Sequence, residues 1–201
     1  MSMRYPQIIE RSIHFLMKFP GVGRRTAERY VFDLLLRWKS DEIDQFQKIL
    51  QQLRSEVESC HECGCLKDEK PCQFCSDLSR NKKILCVVGA SKDVFAIENT
   101  QEFFGCYHVL GGLLSPLDGR AEETLQIDKL KNRIEKQEVE ELILAIDSSL
   151  EGDATCLFIK EALQSAKCSI VRLAFGLPIG SMLEHIDGGT LASAFSGRRP
   201  F

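Results

Sequence analysis

The sequence predicts an α/β protein with an all-helical head, a small cysteine-rich module, an α/β body and a short helical tail. Three patterns carry this reading. Apolar residues recur at helical spacing as far as Val57, two C-x-x-C pairs lie between Cys60 and Cys75, and from Ile84 strand-like runs alternate with helical stretches.

In the head, Ile8, Ile9, Ile13, Leu16 and Met17 fall on one helical face, and Pro20-Gly21 stops that helix. A second helix is expected after Gly23, through Ala27, Val31, Leu34 and Leu35. A third, over roughly 43–57, sets Ile43, Phe46, Leu50, Leu53 and Val57 on one side. In the body, the runs 84–88, 107–110, 142–146 and 169–173 read as buried strands, with helices expected at 93–104, 122–136 and 154–166. That alternation predicts a mainly parallel sheet covered by helices. After Leu173, Gly176-Leu177-Pro178-Ile179-Gly180 reads as a loop, and residues 190–195 as a short helix.

Composition narrows the class. The chain has 201 residues, 44% hydrophobic and 27% charged, which is ordinary for a globular protein and unlike a disordered one. Its longest apolar runs, 84–88 and 142–146, are far short of the ~18–20 residues that cross a bilayer. The first four residues lead directly into an amphipathic stretch, so the expected location is the cytoplasm. In that reducing compartment, clustered cysteines among the nine read as metal ligands rather than disulfides.

The net charge of -3 disguises an uneven distribution. Up to Lys39 the basic residues are Arg4, Arg11, Lys18, Arg24, Arg25, Arg29, Arg37 and Lys39, against Glu10, Glu28 and Asp33. Because screening limits charge interactions to about 8 Å at physiological salt, a local basic face can hold phosphate on a weakly acidic chain.

The cysteines carry the most specific chemistry. Cys60-His61-Glu62-Cys63 and Cys72-Gln73-Phe74-Cys75 each turn two thiolates toward one centre. Four sulfurs form a closed tetrahedral site with no open position for substrate, so the reading is one structural Zn2+ on Cys60, Cys63, Cys72 and Cys75. His61 and Cys65 are nearby competitors, and a pair of redox dithiols is the alternative.

Phe19-Pro20-Gly21-Val22-Gly23 lies between two amphipathic helices. Gly21 and Gly23 allow a tight turn that presents backbone N–H groups at a helix start, and Arg24, Arg25 and Arg29 add charge beside it, with Lys18 before it. Such a loop can grip a phosphodiester without reading a base; the alternative is a plain interhelix turn with a solvated basic face.

The stretch Leu16-Met17-Lys18-Phe19-Pro20-Gly21-Val22-Gly23-Arg24-Arg25-Thr26-Ala27 resembles the helix-hairpin-helix motif of DNA repair proteins. Over essentially its whole length, the chain further resembles the RecR family of bacterial recombination proteins. The resemblance runs through Leu85-Cys86-Val87-Val88, Tyr107-His108-Val109-Leu110-Gly111-Gly112-Leu113-Leu114-Ser115-Pro116-Leu117-Asp118-Gly119 and Leu150-Glu151-Gly152-Asp153-Ala154-Thr155. It continues through Arg172-Leu173-Ala174-Phe175-Gly176-Leu177-Pro178-Ile179-Gly180 and Gly197-Arg198-Arg199.

The resemblance implies a helix-hairpin-helix region (1–57), a four-cysteine zinc module (58–79), a Toprim domain (80–173) and a small C-terminal helical tail (174–201). It implies a non-enzymatic DNA-binding mediator of recombinational repair at gapped DNA, assisting RecO and RecF in loading RecA. Expected partners are double-stranded and gapped DNA, RecO, RecF, and further copies of the chain as dimer or tetramer. The expected location is the cytoplasm, with the nucleoid when bound to DNA. In Toprim enzymes a strand-end acidic pattern holds magnesium; the matching positions are Asp147, Ser149, Glu151 and Asp153. Ser149 replaces one aspartate, and Val88-Gly89-Ala90 stands where the pattern usually has Glu, so a magnesium-dependent enzyme is disfavoured. Asp147, Glu151 and Asp153 are read instead as partner-binding candidates or as a solvated, helix-capping loop. The rival functions are a Toprim nuclease or topoisomerase-like enzyme and a partner-only scaffold.

Overall fold

A computed structural model describes residues 5–68, 71–115, 125–174 and 176–198. They belong to two compact units, Met1–Val57 and Glu58–Phe201. Most of Ser115-Pro116-Leu117-Asp118-Gly119, the start of the helix expected at 122–136, Phe175 and Arg199 lie outside the described residues.

The first unit contains α1 (Gln7–Leu16), α2 (Arg24–Leu36) and α3 (Ser40–Ser55). Its core is small: Ile13, Ala27 and Val31 are buried, with Ile9, Leu16 and Val22 packed against them. At the start of α3, the Lys39 N–H donates to Glu42 Oε2 at 2.8 Å, satisfying one donor of the helix N-terminus. No residue of α3 is buried, although its sequence is amphipathic. Its predicted apolar side therefore lacks cover within the unit, and Val57 lies beyond the helix end.

The second unit opens with a two-stranded hairpin, β1 (Glu58–Ser59) and β2 (Leu66–Lys67), that the sequence reading did not anticipate. β3 (Asn81–Val88), β4 (Gly105–Val109), β5 (Glu141–Ala145) and β6 (Ser169–Arg172) form a sheet in the order β4-β3-β5-β6. All its pairings are parallel, as the alternating pattern predicts. α4 (Ser91–Glu98), α5 (Ile127–Gln137) and α6 (Leu150–Ala162) connect the strands. A 3₁₀ turn (Leu183–His185) and α7 (Gly188–Ser196) follow. Among the described residues, no helix is long and apolar enough to cross a membrane.

Period-two alternation divides the sheet into two buried faces. Leu85, Val87, Cys106, Leu142 and Leu144 share a core with Leu130 and Ile134 of α5 and Ile159 of α6. Cys86, Val88, Tyr107 and Val109 pack instead with Val94 of α4 and with Cys60, Cys63, Cys65, Cys72 and Phe74. The cysteine module is therefore continuous with the sheet core.

The helix expected at 93–104 ends at Glu98 because the chain must turn to enter β4. Gln101 takes φ 58°, and the Phe104 carbonyl accepts from the Asn81 N–H at 2.8 Å, setting the new strand beside β3. The helix expected at 154–166 begins and ends four residues earlier. Ser149 starts it, accepting from the Gly152 N–H at 3.1 Å.

Candidate metal centre and nucleic-acid interface

The four cysteine sulfurs of the two C-x-x-C pairs all lie within 4.8 Å of one another. Cys63 Sγ is 3.5 Å from Cys72 Sγ, and Cys60 Sγ is 4.0 Å from Cys75 Sγ. A zinc tetrahedron with Zn–S bonds of about 2.3 Å has S···S edges of about 3.8 Å, so the cluster fits that ion. Three of the four cysteines are buried. Bringing thiols this close pushes the Cys75 thiol up, through its hydrogen bond to Cys63 and then through burial; a divalent cation reverses that balance. His61 is exposed and outside the cluster. Cys65 is buried, but its backbone N–H donates to Cys63 Sγ at 3.5 Å, and its own sulfur is not one of the four.

Local backbone geometry builds each half of the cluster. The Cys60 N–H donates to Cys65 O and the Gly64 N–H to Cys60 O, both at 2.8 Å, curling the first knuckle. In the second, the Ser76 N–H and hydroxyl both donate to Cys72 O at 2.9 Å.

Gly64 has φ +76°, and a Cβ there would lie 2.8 Å from the Val109 carbonyl oxygen, so only glycine fits. That close approach allows the Val109 N–H to donate to Cys63 O at 2.7 Å, covering the edge of β4 with the module. Phe74, inside the second pair, packs edge-on against Tyr107 with ring centroids 5.4 Å apart. Arg80 lies over Phe74 at 5.2 Å, holds Glu98 through two hydrogen bonds and donates to Gly105 O at 3.1 Å.

A third tie comes from Arg133 on α5, which is buried. It donates to the Tyr107 carbonyl, and its Nε lies 3.9 Å from Glu62, inside the first C-x-x-C. Gln137 closes the triangle by donating to Glu62 Oε1 at 3.0 Å. Sequence reasoning missed Gly64, Arg80 and Arg133. The one available signal for Arg133 is its place at the margin of the apolar stripe Ile127, Leu130, Ile134.

In the head, Phe19-Pro20-Gly21-Val22 forms a turn closed by the Val22 N–H on Phe19 O at 3.1 Å. Proline at the second position and Gly21 at φ +77° in the third match a type II turn. Gly23 is different: its φ is −81° and a Cβ there would meet nothing within 4 Å, so the positive φ of the turn falls on Gly21. Gly23 is the N-cap of α2 and offers no side-chain oxygen, so the first-turn N–H groups of α2 have no side-chain cap.

The expected DNA-binding residues separate. Arg24 is held by Glu10, with both carboxylate oxygens at 2.9 Å, and by Glu28 at 3.1 Å. The Glu10 hydrogen bond, then its charge, raises the Arg24 pKa. Arg25 and Arg29 have no ion-pair partner among the described residues. Lys18 lies in the connection after α1, not within the helix, and its ammonium sits 4.8 Å from the Phe15 ring centre.

The acidic positions follow β5, whose end Ala145 pairs with Val88, immediately before Gly89. This is where the strand order reverses, the usual ligand crevice of an open parallel sheet. Ser149 caps α6, Glu151 and Asp153 occupy its first turn, and Asp153 is paired with Arg172 Nη2 at 2.7 Å. A Cβ at Gly152 would approach the Asp147 carbonyl to 2.0 Å, so glycine is required there.

Together these elements define a Toprim-type α/β protein with a four-cysteine cluster able to hold a metal ion built onto the edge of its sheet. The family model "Toprim domain" matches residues 83–174, and "RecR, C-terminal" matches 176–199. "Recombination protein RecR" of Protochlamydia amoebophila is 48% identical over 199 residues, covering 99% of this chain and all of that protein. The protein of the same name from Chlamydia abortus is 45% identical over 201 residues, 99% of this chain and all of its own length. That from Staphylococcus saprophyticus is 41% identical over 196 residues, 98% of each. The chain belongs to the RecR family.

Proposed function

We propose that this chain is a non-enzymatic DNA-binding mediator of recombinational repair at gapped DNA. In this reading it assists RecO and RecF in loading RecA. The observation that carries the DNA contact is the pair Arg25 and Arg29, which no carboxylate engages among the described residues, beside the uncapped start of α2 and the Gly21 turn. Backbone N–H groups take one phosphate while the guanidiniums neutralise its neighbours, giving affinity without base preference. The relatives' name, recombination protein, supports placing that contact in recombination.

The functional division we propose is 1–57 for DNA contact and self-association, 58–79 for one zinc ion per chain, 80–173 for partner contact and 174–201 as a tail. The uncovered apolar side of α3 supports a homo-oligomer, dimer or tetramer, in which several modest basic patches act on one duplex. Asp147, Glu151 and Asp153 are proposed to meet a basic surface of RecO. The Arg172 pairing with Asp153 and the use of Ser149 as a helix cap support a contact role over magnesium chemistry. The proposed location is the cytoplasm, with the nucleoid when DNA is bound.

Purified full chain should bind gapped duplex, bind RecO and accelerate RecA loading on DNA coated with single-strand-binding protein. Magnesium-dependent cleavage or relaxation that disappears in Glu151→Gln would replace this reading with the enzymatic one. Absence of DNA affinity at low salt, with RecO binding intact, would replace it with the scaffold.

A further inference from the structure

An open groove of about 700 Å³ runs along the outer side of α2, within the first unit. Arg25, Arg29, Phe32 and Leu36 recur three or four residues apart and line one stripe of the helix, with Tyr5 and Tyr30 beside it. Tyr5 stands edge-on to Phe32 at 5.4 Å, and Tyr30 is nearly half exposed.

The two acids of the groove are already neutralised. Glu28 accepts from Arg24 at 3.1 Å, and Asp33 is held by Arg37 at 3.2 Å and by the Trp38 indole N–H at 3.4 Å. Arg25 and Arg29 therefore leave the groove positive among exposed aromatic rings.

From this combination we propose that the groove seats the bases of an unpaired DNA strand. The bases would stack on Tyr30 and Tyr5, while Arg25 and Arg29 hold the phosphates. Aromatic faces accept any base, and arginines spaced by one helical turn track a backbone. A duplex offers the arginines its phosphates but keeps its bases in its own stack, so only a single strand can use the rings. The first α2 residue lining the groove, Arg25, lies two positions past Gly23, so one helix would contact both the duplex flank and the unpaired strand of a gap. This inference rests on the DNA-binding reading above and adds the structural class of the DNA.

The test compares a 15-nucleotide oligothymidylate with a duplex of equal length, using the full chain at matched salt. Tyr30→Leu and Tyr5→Leu keep apolar volume and remove the ring. Each should lower single-strand affinity between about fivefold and about a hundredfold and change duplex affinity less than twofold. Arg25→Gln with Arg29→Gln should weaken both ligands. A 2-aminopurine placed within the oligomer should lose fluorescence on binding the parent protein, a reading that does not depend on how any variant folds.

Unchanged single-strand affinity in both tyrosine variants or an unquenched 2-aminopurine would each overturn the groove while leaving duplex binding in place, and equal losses on both ligands would overturn it as well. A parent protein that binds neither ligand removes the DNA reading itself. A changed oligomeric mass in the tyrosine variants, without selective loss of the single strand, assigns the groove to contact between copies and overturns the proposal.

Discussion

The two compact units bury their apolar residues in different proportion, although each also exposes some, such as Leu78, Phe104 and Leu150 in the second. The second buries a continuous core on both faces of its sheet and includes the metal-site cysteines in one of them. Among its described residues, the first buries only Ile13, Ala27 and Val31, yet exposes Phe15, Phe19, Leu36, Phe46, Leu50 and Leu53. One unit has the packing of a self-sufficient fold; the other has the surface of a component awaiting partners. Substitutions should therefore act on stability in the second unit and on association in the first.

The largest effect should come from the metal centre. Cys72→Ser should abolish retention of stoichiometric zinc and lower the apparent Tm by more than about 10 °C, measured by metal analysis and calorimetry. The loss should extend into the sheet, because Cys63 O covers the β4 edge and Phe74 packs on Tyr107. A variant that loses zinc but melts like the parent would show that the module is an appendage.

Next comes His108, fully buried on β4, where neither ring nitrogen makes a hydrogen bond of normal geometry with any described residue. Burial, then the Arg133 charge, pushes its pKa down to about 4, with the Gln126 backbone opposing. The unfolded chain, with its ordinary value near 6.5, takes up the proton first. The stability linked to neutral His108 is thus complete above pH ~6.5 and is lost as pH falls toward ~4, by about 3 kcal/mol in all. His108→Phe should flatten the stability profile between pH 6.5 and 4.5 in denaturant titrations.

Arg133→Met should cost about 1–3 kcal/mol, since it leaves the Tyr107 carbonyl without its donor, and should speed zinc transfer to a chelator by loosening Glu62. Smallest on stability, within about 0.5 kcal/mol, should be Leu50→Glu on the exposed side of α3. Light scattering should nevertheless show a lower mass for this variant. An unchanged mass would remove α3 from the interface and weaken the contrast between the units.

The legible features were those with fixed local spacing. Two C-x-x-C pairs, four apolar strand runs and the Pro-Gly turn each declare themselves within a few residues, and all have a counterpart in the structure. What the sequence hid depends on residues distant in the chain. Arg24 looks the same as Arg25 until Glu10, fourteen positions earlier, is seen to hold it. Arg133 reads as an ordinary helix-surface cation until Tyr107 and Glu62 meet it. The end of α5 carries no glycine signal, because Glu138 itself takes the left-handed conformation at φ 48°.

The most direct test of the account is the salt dependence of duplex affinity for two variants with the same zinc content and oligomeric mass as the parent. Arg25→Gln with Arg29→Gln should lower the slope of log affinity against log salt by about two per chain, roughly one for each lost phosphate contact, across unrelated sequences. Arg24→Gln, whose side chain is already engaged by Glu10 and Glu28, should change the slope by less than half of one contact. A slope unmoved by the double substitution, or a dominant effect of Arg24, would contradict the placement of the phosphate contacts on the unpaired arginines of α2.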